Sequence, residues 1–160
     1  MNALKILERG NKNLTDVLEN LPKDFWTEGF ATGTWTVRDI VDHLGVSEQL
    51  QREAFEKFLD PAAVTPLSDE KAKADHTKFN DEQQELDKNL SSVQVLERYK
   101  NEFNKLKQIV QNLSAEQLAK TGTTTWYNEP SSLDDIIALN YGHKKHHIAQ
   151  IKLFRQKNKV

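Results

Sequence analysis

Apolar residues recur at helical spacing in four stretches of the chain. In the first, residues 2–21, Leu7, Leu14, Val17, Leu18 and Leu21 fall on one stripe, which predicts an amphipathic helix that Pro22 ends. The second starts at Thr36. A threonine with Asp39 three residues on is a capping-box pattern, and Val37, Ile40, Val41, Leu44, Leu50, Phe55, Phe58 and Leu59 form an apolar face that closes at Pro61. The third, residues 92–113, carries Leu96, Tyr99, Phe103, Leu106, Ile109, Val110 and Leu113 on its stripe. Ser114 and Gln117 repeat the box pattern and predict a short helical turn. The fourth begins near Ser132, with Asp135 as its box partner, and runs to about residue 157.

The connecting segments differ in kind. Residues 23–35 hold Phe25, Trp26, Phe30 and Trp35, an aromatic loop expected to pack over one end of a bundle as a lid. Residues 61–91 are polar, with Leu67, Phe79 and Leu86 isolated, and read as a long crossover with one short helix around residues 80–88. Residues 121–130 read as a loop or a short β-ribbon, with Trp126 and Tyr127 in it. Four amphipathic helices without convincing strands predict an all-α fold: a four-helix bundle with a long crossover connection between helices 2 and 3, in a single domain spanning 1–160.

Composition narrows the chemistry. The chain has no cysteine, which excludes disulfides, thiolate metal sites and a cysteine nucleophile. Any metal must be held by histidine, carboxylate or water. Its 22 Lys and Arg against 24 Asp and Glu give a net charge of −2, with no basic face for nucleic acid. Lys152, Arg155, Lys157 and Lys159 suit the negative end of the last helix. No apolar run approaches the ~18 residues of a membrane span, and Lys5 and Glu8 interrupt what a signal peptide needs to be apolar. The expected location is the cytoplasm.

Of five histidines, His76 lies in the polar crossover and reads as solvated. His143 and His147 are four apart and share a line with Ile136, Asn140, Ile151 and Phe154, which is apolar at both ends and faces the core. This is the spacing at which two imidazoles converge on one metal ion; it is equally the spacing of two core or surface histidines. His43, three residues after Ile40, supplies a third imidazole from the second helix. Three such nitrogens suit Zn²⁺, Ni²⁺ or Fe²⁺ rather than an oxygen-seeking ion. The register stays open, because His143 with His146 is an i,i+3 pair. Lys144 and Lys145 are expected to point outward, and Gly142 to allow a close backbone approach beside the site. Glu48, just over a turn past His43, is either a base or partner for the site or a solvated helix carboxylate. Trp35, Trp126 and Tyr127 either wall the pocket or cap the bundle.

Two of these stretches also carry a resemblance. Residues 35–44, Trp-Thr-Val-Arg-Asp-Ile-Val-Asp-His-Leu, resemble the second-helix signature of the DinB-like superfamily. Residues 143–151, His-Lys-Lys-His-His-Ile-Ala-Gln-Ile, resemble its last-helix motif. The resemblance spans the chain. It implies a four-helix bundle with a crossover, frequent homodimers, and a divalent metal on His43, His143 and His147. It also implies an activity class: thiol-dependent S-transferases using bacillithiol, mycothiol or glutathione, or metal-dependent hydrolases. The metal would activate a thiolate or a water. The rival expectation is a non-enzymatic stress or small-ligand-binding bundle with structural histidines.

Overall fold

The computed structural model describes residues 2–160 apart from 123, 127 and 128, with residue 125 described by its backbone alone. Tyr127, a candidate pocket wall, therefore lies outside the described residues.

Helix α1 (Ala3–Leu18) opens with the Asn2 side chain accepting from the Lys5 amide at 3.0 Å and buries Leu7, Leu14, Val17 and Leu18. It ends before Leu21, because Asn20 takes a left-handed backbone (φ 57°) that turns the chain ahead of Pro22. A short 3₁₀ turn at Lys23–Trp26 follows. Helix α2 (Val37–Leu59) begins at the expected capping box, with Thr36 and Asp39 each bonding the other's backbone amide. The polar crossover holds two helices rather than one, α3 (Pro66–Lys71) and α4 (His76–Asp87). Long-range capping makes up for its sparse apolar residues. The Glu53 carboxylate on α2 accepts from the amides of Leu67 (3.4 Å) and Ser68 (2.7 Å), at the first turn of α3. Asp75 caps α4, which buries Phe79 and Gln83, and Gln84 Nε2 donates to the Asp39 carbonyl at 3.1 Å. Helix α5 (Ser92–Gln111) and the short α6 (Ala115–Ala119) both start at capping boxes. The ribbon alternative holds for the next segment: β1 (Thr124–Trp126) pairs antiparallel with β2 (Glu129–Ser131). Helix α7 (Leu133–Asn158) starts at the Ser132–Asp135 box.

Helix α2 packs along α5 and α1 along α7; contacts of α2 with α7 and of α1 with α5 join the two pairs. Among the described residues, two apolar clusters fill the interior. One includes Phe55, Phe103, Leu106 and Ile136; the other includes Leu14, Ile40, Tyr99 and Ile151. Between their contributions to α2 and α7 lies a polar layer. His43, Ser47 and Glu48 are buried there on α2, and Asn140, Lys144 and His147 on α7. Buried polar groups are costly unless partnered, so this layer is where function is to be sought. Among the described residues no helix is long and apolar enough to cross a membrane.

Gly142 corrects one expectation. It is exposed, and a Cβ built there meets nothing within 4 Å, so no backbone comes close to it. Gly142→Ala is therefore expected to stabilise the protein by about 0.4–1 kcal/mol through helix propensity and reduced unfolded-state entropy. Thermal unfolding followed by circular dichroism should show a rise of a few degrees.

Candidate metal centre

Three imidazoles meet in the polar layer. His143 Nε2 lies 2.9 Å from His43 Nε2 and 3.0 Å from His147 Nε2. All three potential ligand nitrogens fall within 4.8 Å of one another. The helical repeat explains this. His143 and His147 stack one turn apart on α7, and α2 brings His43 across from the facing wall. His146 is exposed on the outer side, on a line with the exposed Leu139 and Leu153, so His147 and not His146 completes the cluster.

Burial, reinforced by the neighbouring imidazoles, pushes His43 down to about 2 and His143 down to about 4. His147 is also lowered by burial, against the raising effect of its bond to Gln150. All three are neutral at pH 7, the form that offers a lone pair to a metal.

Gln150 orients the cluster. Its Nε2 donates to Thr32 Oγ1 at 3.0 Å and to His146 Nε2 at 3.0 Å, and its Oε1 faces His147 Nδ1 at 2.8 Å. With the amide so assigned, His147 carries its proton on Nδ1 and turns a bare Nε2 toward its two partners. The contact also ties the cluster to the loop before α2. In that loop the Trp35 ring lies 4.9 Å from the His43 ring centroid and 6.3 Å from that of His147. Trp35 thus borders the cluster. Trp126 instead lines a cavity of about 500 Å³ with Leu50, Ala54 and His76. His76 is exposed, as expected, yet close enough to help lower His43 and His143.

Helix α7 also departs from expectation. Lys144 is 4% exposed and pairs with Glu48, which is 0% exposed. Neither is the solvated charge expected of an isolated helix residue; the pairing partner lies on a helix far away in sequence. Asp42, beside His43, is likewise buried. Among the described residues neither of its carboxylate oxygens has a hydrogen-bond partner, but its Oδ1 lies 3.5 Å from an Arg98 guanidinium nitrogen; burial, then Asp87, raises its pKa to about 6 against the lowering effect of Arg98 and Arg38.

The donor set fits a divalent ion. Three neutral Nε2 atoms this close cannot all be satisfied by hydrogen bonds among themselves, since His143 Nε2 has one lone pair or one proton to share between two neighbours. A cation would take three lone pairs at once. Nitrogen ligands at ~2.0–2.1 Å around tetrahedral zinc stand roughly 3.3 Å apart, close to the 2.9 Å and 3.0 Å that separate His143 Nε2 from the other two.

Comparison with known proteins agrees with this architecture. The family model of the DinB superfamily matches residues 6–151, and the chain belongs to that superfamily. No curated protein matches the sequence. The fold is similar to that of an uncharacterised protein from Escherichia coli UTI89, with TM-score 0.79 and 15% identity, covering 99% of this chain and 93% of the other. It is also similar to a histidine-to-alanine mutant of the mycothiol-dependent maleylpyruvate isomerase. There the TM-score is 0.75 and the identity 8%, over 93% of this chain and 59% of the other.

If the cluster holds a metal, Gln150→Leu is expected to weaken Zn²⁺ binding by about 10–100-fold, the usual effect of losing a partner that orients a ligand. Gln150→Glu keeps an acceptor beside His147 Nδ1 and should stay within a few-fold of wild type. Chelator-competition titrations of both variants check this.

Proposed function

We propose that the chain is a divalent-metal-dependent enzyme that joins a low-molecular-weight thiol to an electrophilic small molecule. His43, His143 and His147 would hold Zn²⁺ or Ni²⁺, with Fe²⁺ as the further candidate. The observation that carries this reading is the convergence of three neutral Nε2 atoms in a buried polar layer. The fold likeness to a mycothiol-dependent enzyme favours the thiol version over the hydrolase version.

A divalent ion at this position supplies a charge that lowers the pKa of a thiol or water beside it. The protein's own residues prepare the place. Gln150 keeps the His147 proton on Nδ1, and the Trp35 indole shields the His43 ring from water. In the transfer, the thiol gives up its proton to solvent water, its sulfur bonds to the electrophilic carbon, and the leaving group departs with its electron pair. We extend the proposal to one domain working in the cytoplasm, and to a homodimer, which the superfamily resemblance implies. Light scattering of the untagged protein tests the oligomeric state.

The activity test uses untagged protein loaded with Zn²⁺ or Ni²⁺, each of bacillithiol, mycothiol and glutathione, and monochlorobimane as electrophile. Accelerated adduct formation with at least one thiol, lost in His143→Ala, is the expected result. No acceleration with any thiol, together with metal-dependent hydrolysis of an activated ester, would replace the transferase version with the hydrolase one. Metal binding with neither activity would favour the non-enzymatic bundle.

A further inference from the structure

The buried pair beside the histidines calls for a separate explanation. Lys144 Nζ donates to Glu48 Oε1 and, at 2.9 Å, to the Tyr99 hydroxyl. Burial works against the lysine's charge, but Glu48 and Tyr99 outweigh it and hold its pKa above the usual value. Burial also pushes the Tyr99 hydroxyl up to about 12, so it stays protonated. The network therefore joins three helices, α2, α5 and α7, through one ammonium group.

As a device for stability it is poor. Buried ion pairs are often matched or bettered by apolar side chains of similar volume. Glu48 Oε2, moreover, is buried with no hydrogen-bond partner among the described residues. On its α1 side Lys144 is bordered by a glycine. Gly10 stands in the middle of α1, where a Cβ would come 3.4 Å from Lys144 Cδ and 3.3 Å from Tyr141 Cδ2. A helix-interior glycine is unfavourable in itself.

What the pair supplies is direction. Among the described residues, side-chain hydrogen bonds link α2 to α7 at two places, His43 with His143 and Glu48 with Lys144. Lys144 is the residue after His143, and Glu48 lies about 7.5 Å along α2 from His43 at the helical rise. Apolar packing tolerates small rotations and slides of one helix on another. A charged hydrogen bond between fixed points does not.

We infer that Glu48 and Lys144 are positioning residues that set the rotation and register of α2 against α7, so that His43 meets His143 and His147. Tyr99 steadies Lys144 from α5. The inference rests on the metal reading of the histidine cluster.

The test compares wild type with the double variant Glu48→Leu/Lys144→Met, which removes both charges and keeps apolar volume. Three quantities are measured: thermal unfolding of the metal-free protein, Zn²⁺ affinity by chelator competition, and the visible d–d spectrum of the Co²⁺-loaded protein. The double variant should stay folded and unfold within roughly 10 °C of wild type, since the Tyr99 hydroxyl loses its partner while the desolvation cost of the ion pair is removed. It should bind Zn²⁺ about 10–100-fold more weakly, as when a ligand's orienting partner is lost, with an altered Co²⁺ spectrum. Unchanged affinity and spectrum would overturn the inference while leaving the metal reading intact. A wild type that binds neither ion would overturn both. Should the double variant fail to fold, Tyr99→Phe carries the same comparison, since it deletes one partner of Lys144 and keeps the ring. Weaker Zn²⁺ binding with a shifted spectrum is expected there too, and wild-type values would again overturn the inference.

Discussion

His143→Ala is expected to abolish stoichiometric metal binding while leaving the helical fold in place. His143 is the hub of the cluster, since its Nε2 contacts both of the other imidazoles. Removing it leaves His43 and His147 to chelate alone from different helices. The loss of affinity should exceed the ~10–100-fold that follows from removing a ligand's orienting partner. Titration with Zn²⁺ in the presence of a competing chelator measures this directly. A variant that retains wild-type affinity would remove His143 from the site.

The second large effect concerns acid. His43 and His143 have folded pKa values of about 2 and about 4, below the ordinary 6.5, so the unfolded chain binds protons that the folded one refuses. Their contribution to stability is complete above pH ~6.5 and is withdrawn as the pH falls toward the folded values. At pH 5 each withdraws roughly 2 kcal/mol. Asp42, raised to about 6, acts in the opposite direction. It regains about 1 kcal/mol as it protonates between pH 8 and pH 5. These three groups together withdraw about 3 kcal/mol from the metal-free protein, a fall in Tm of roughly 6–12 °C, and His147, also lowered by burial, adds to the loss. In His143→Ala the loss over the same pH interval should be about 2 kcal/mol smaller. Melts at pH 8 and pH 5 for both proteins provide the check, and an identical pH dependence in the two would contradict the assignment of buried neutral histidines.

The helices were legible because each writes its own local signals. Thr36 with Asp39, Ser114 with Gln117, and Ser132 with Asp135 are boxes closed within four residues, and all three form. The line Ile136–Asn140–His143–His147–Ile151–Phe154 was readable from the 3.6-residue repeat and points inward. What escaped depends on partners distant in sequence. Lys144 reads as a surface lysine until Glu48, on another helix, is placed against it. The crossover reads as mostly unstructured until Glu53 on α2 is seen to cap α3. The outer face of α7 misleads for the converse reason. Leu139 and Leu153 are 57% and 50% exposed, while a lysine and a histidine are buried, so apolarity alone does not orient this helix. The glutamine of the last-helix motif could be noticed as a residue, but its grip on His147 Nδ1 and Thr32 required the loop before α2 to be in place.

The most direct measurement of the central claim is elemental analysis of the protein purified without a histidine tag and without chelator, alongside His43→Ala. About one Zn, Ni or Fe per chain in the wild type, absent from the variant, is the predicted result. A wild type that carries no metal even after equilibration with Zn²⁺ would contradict it.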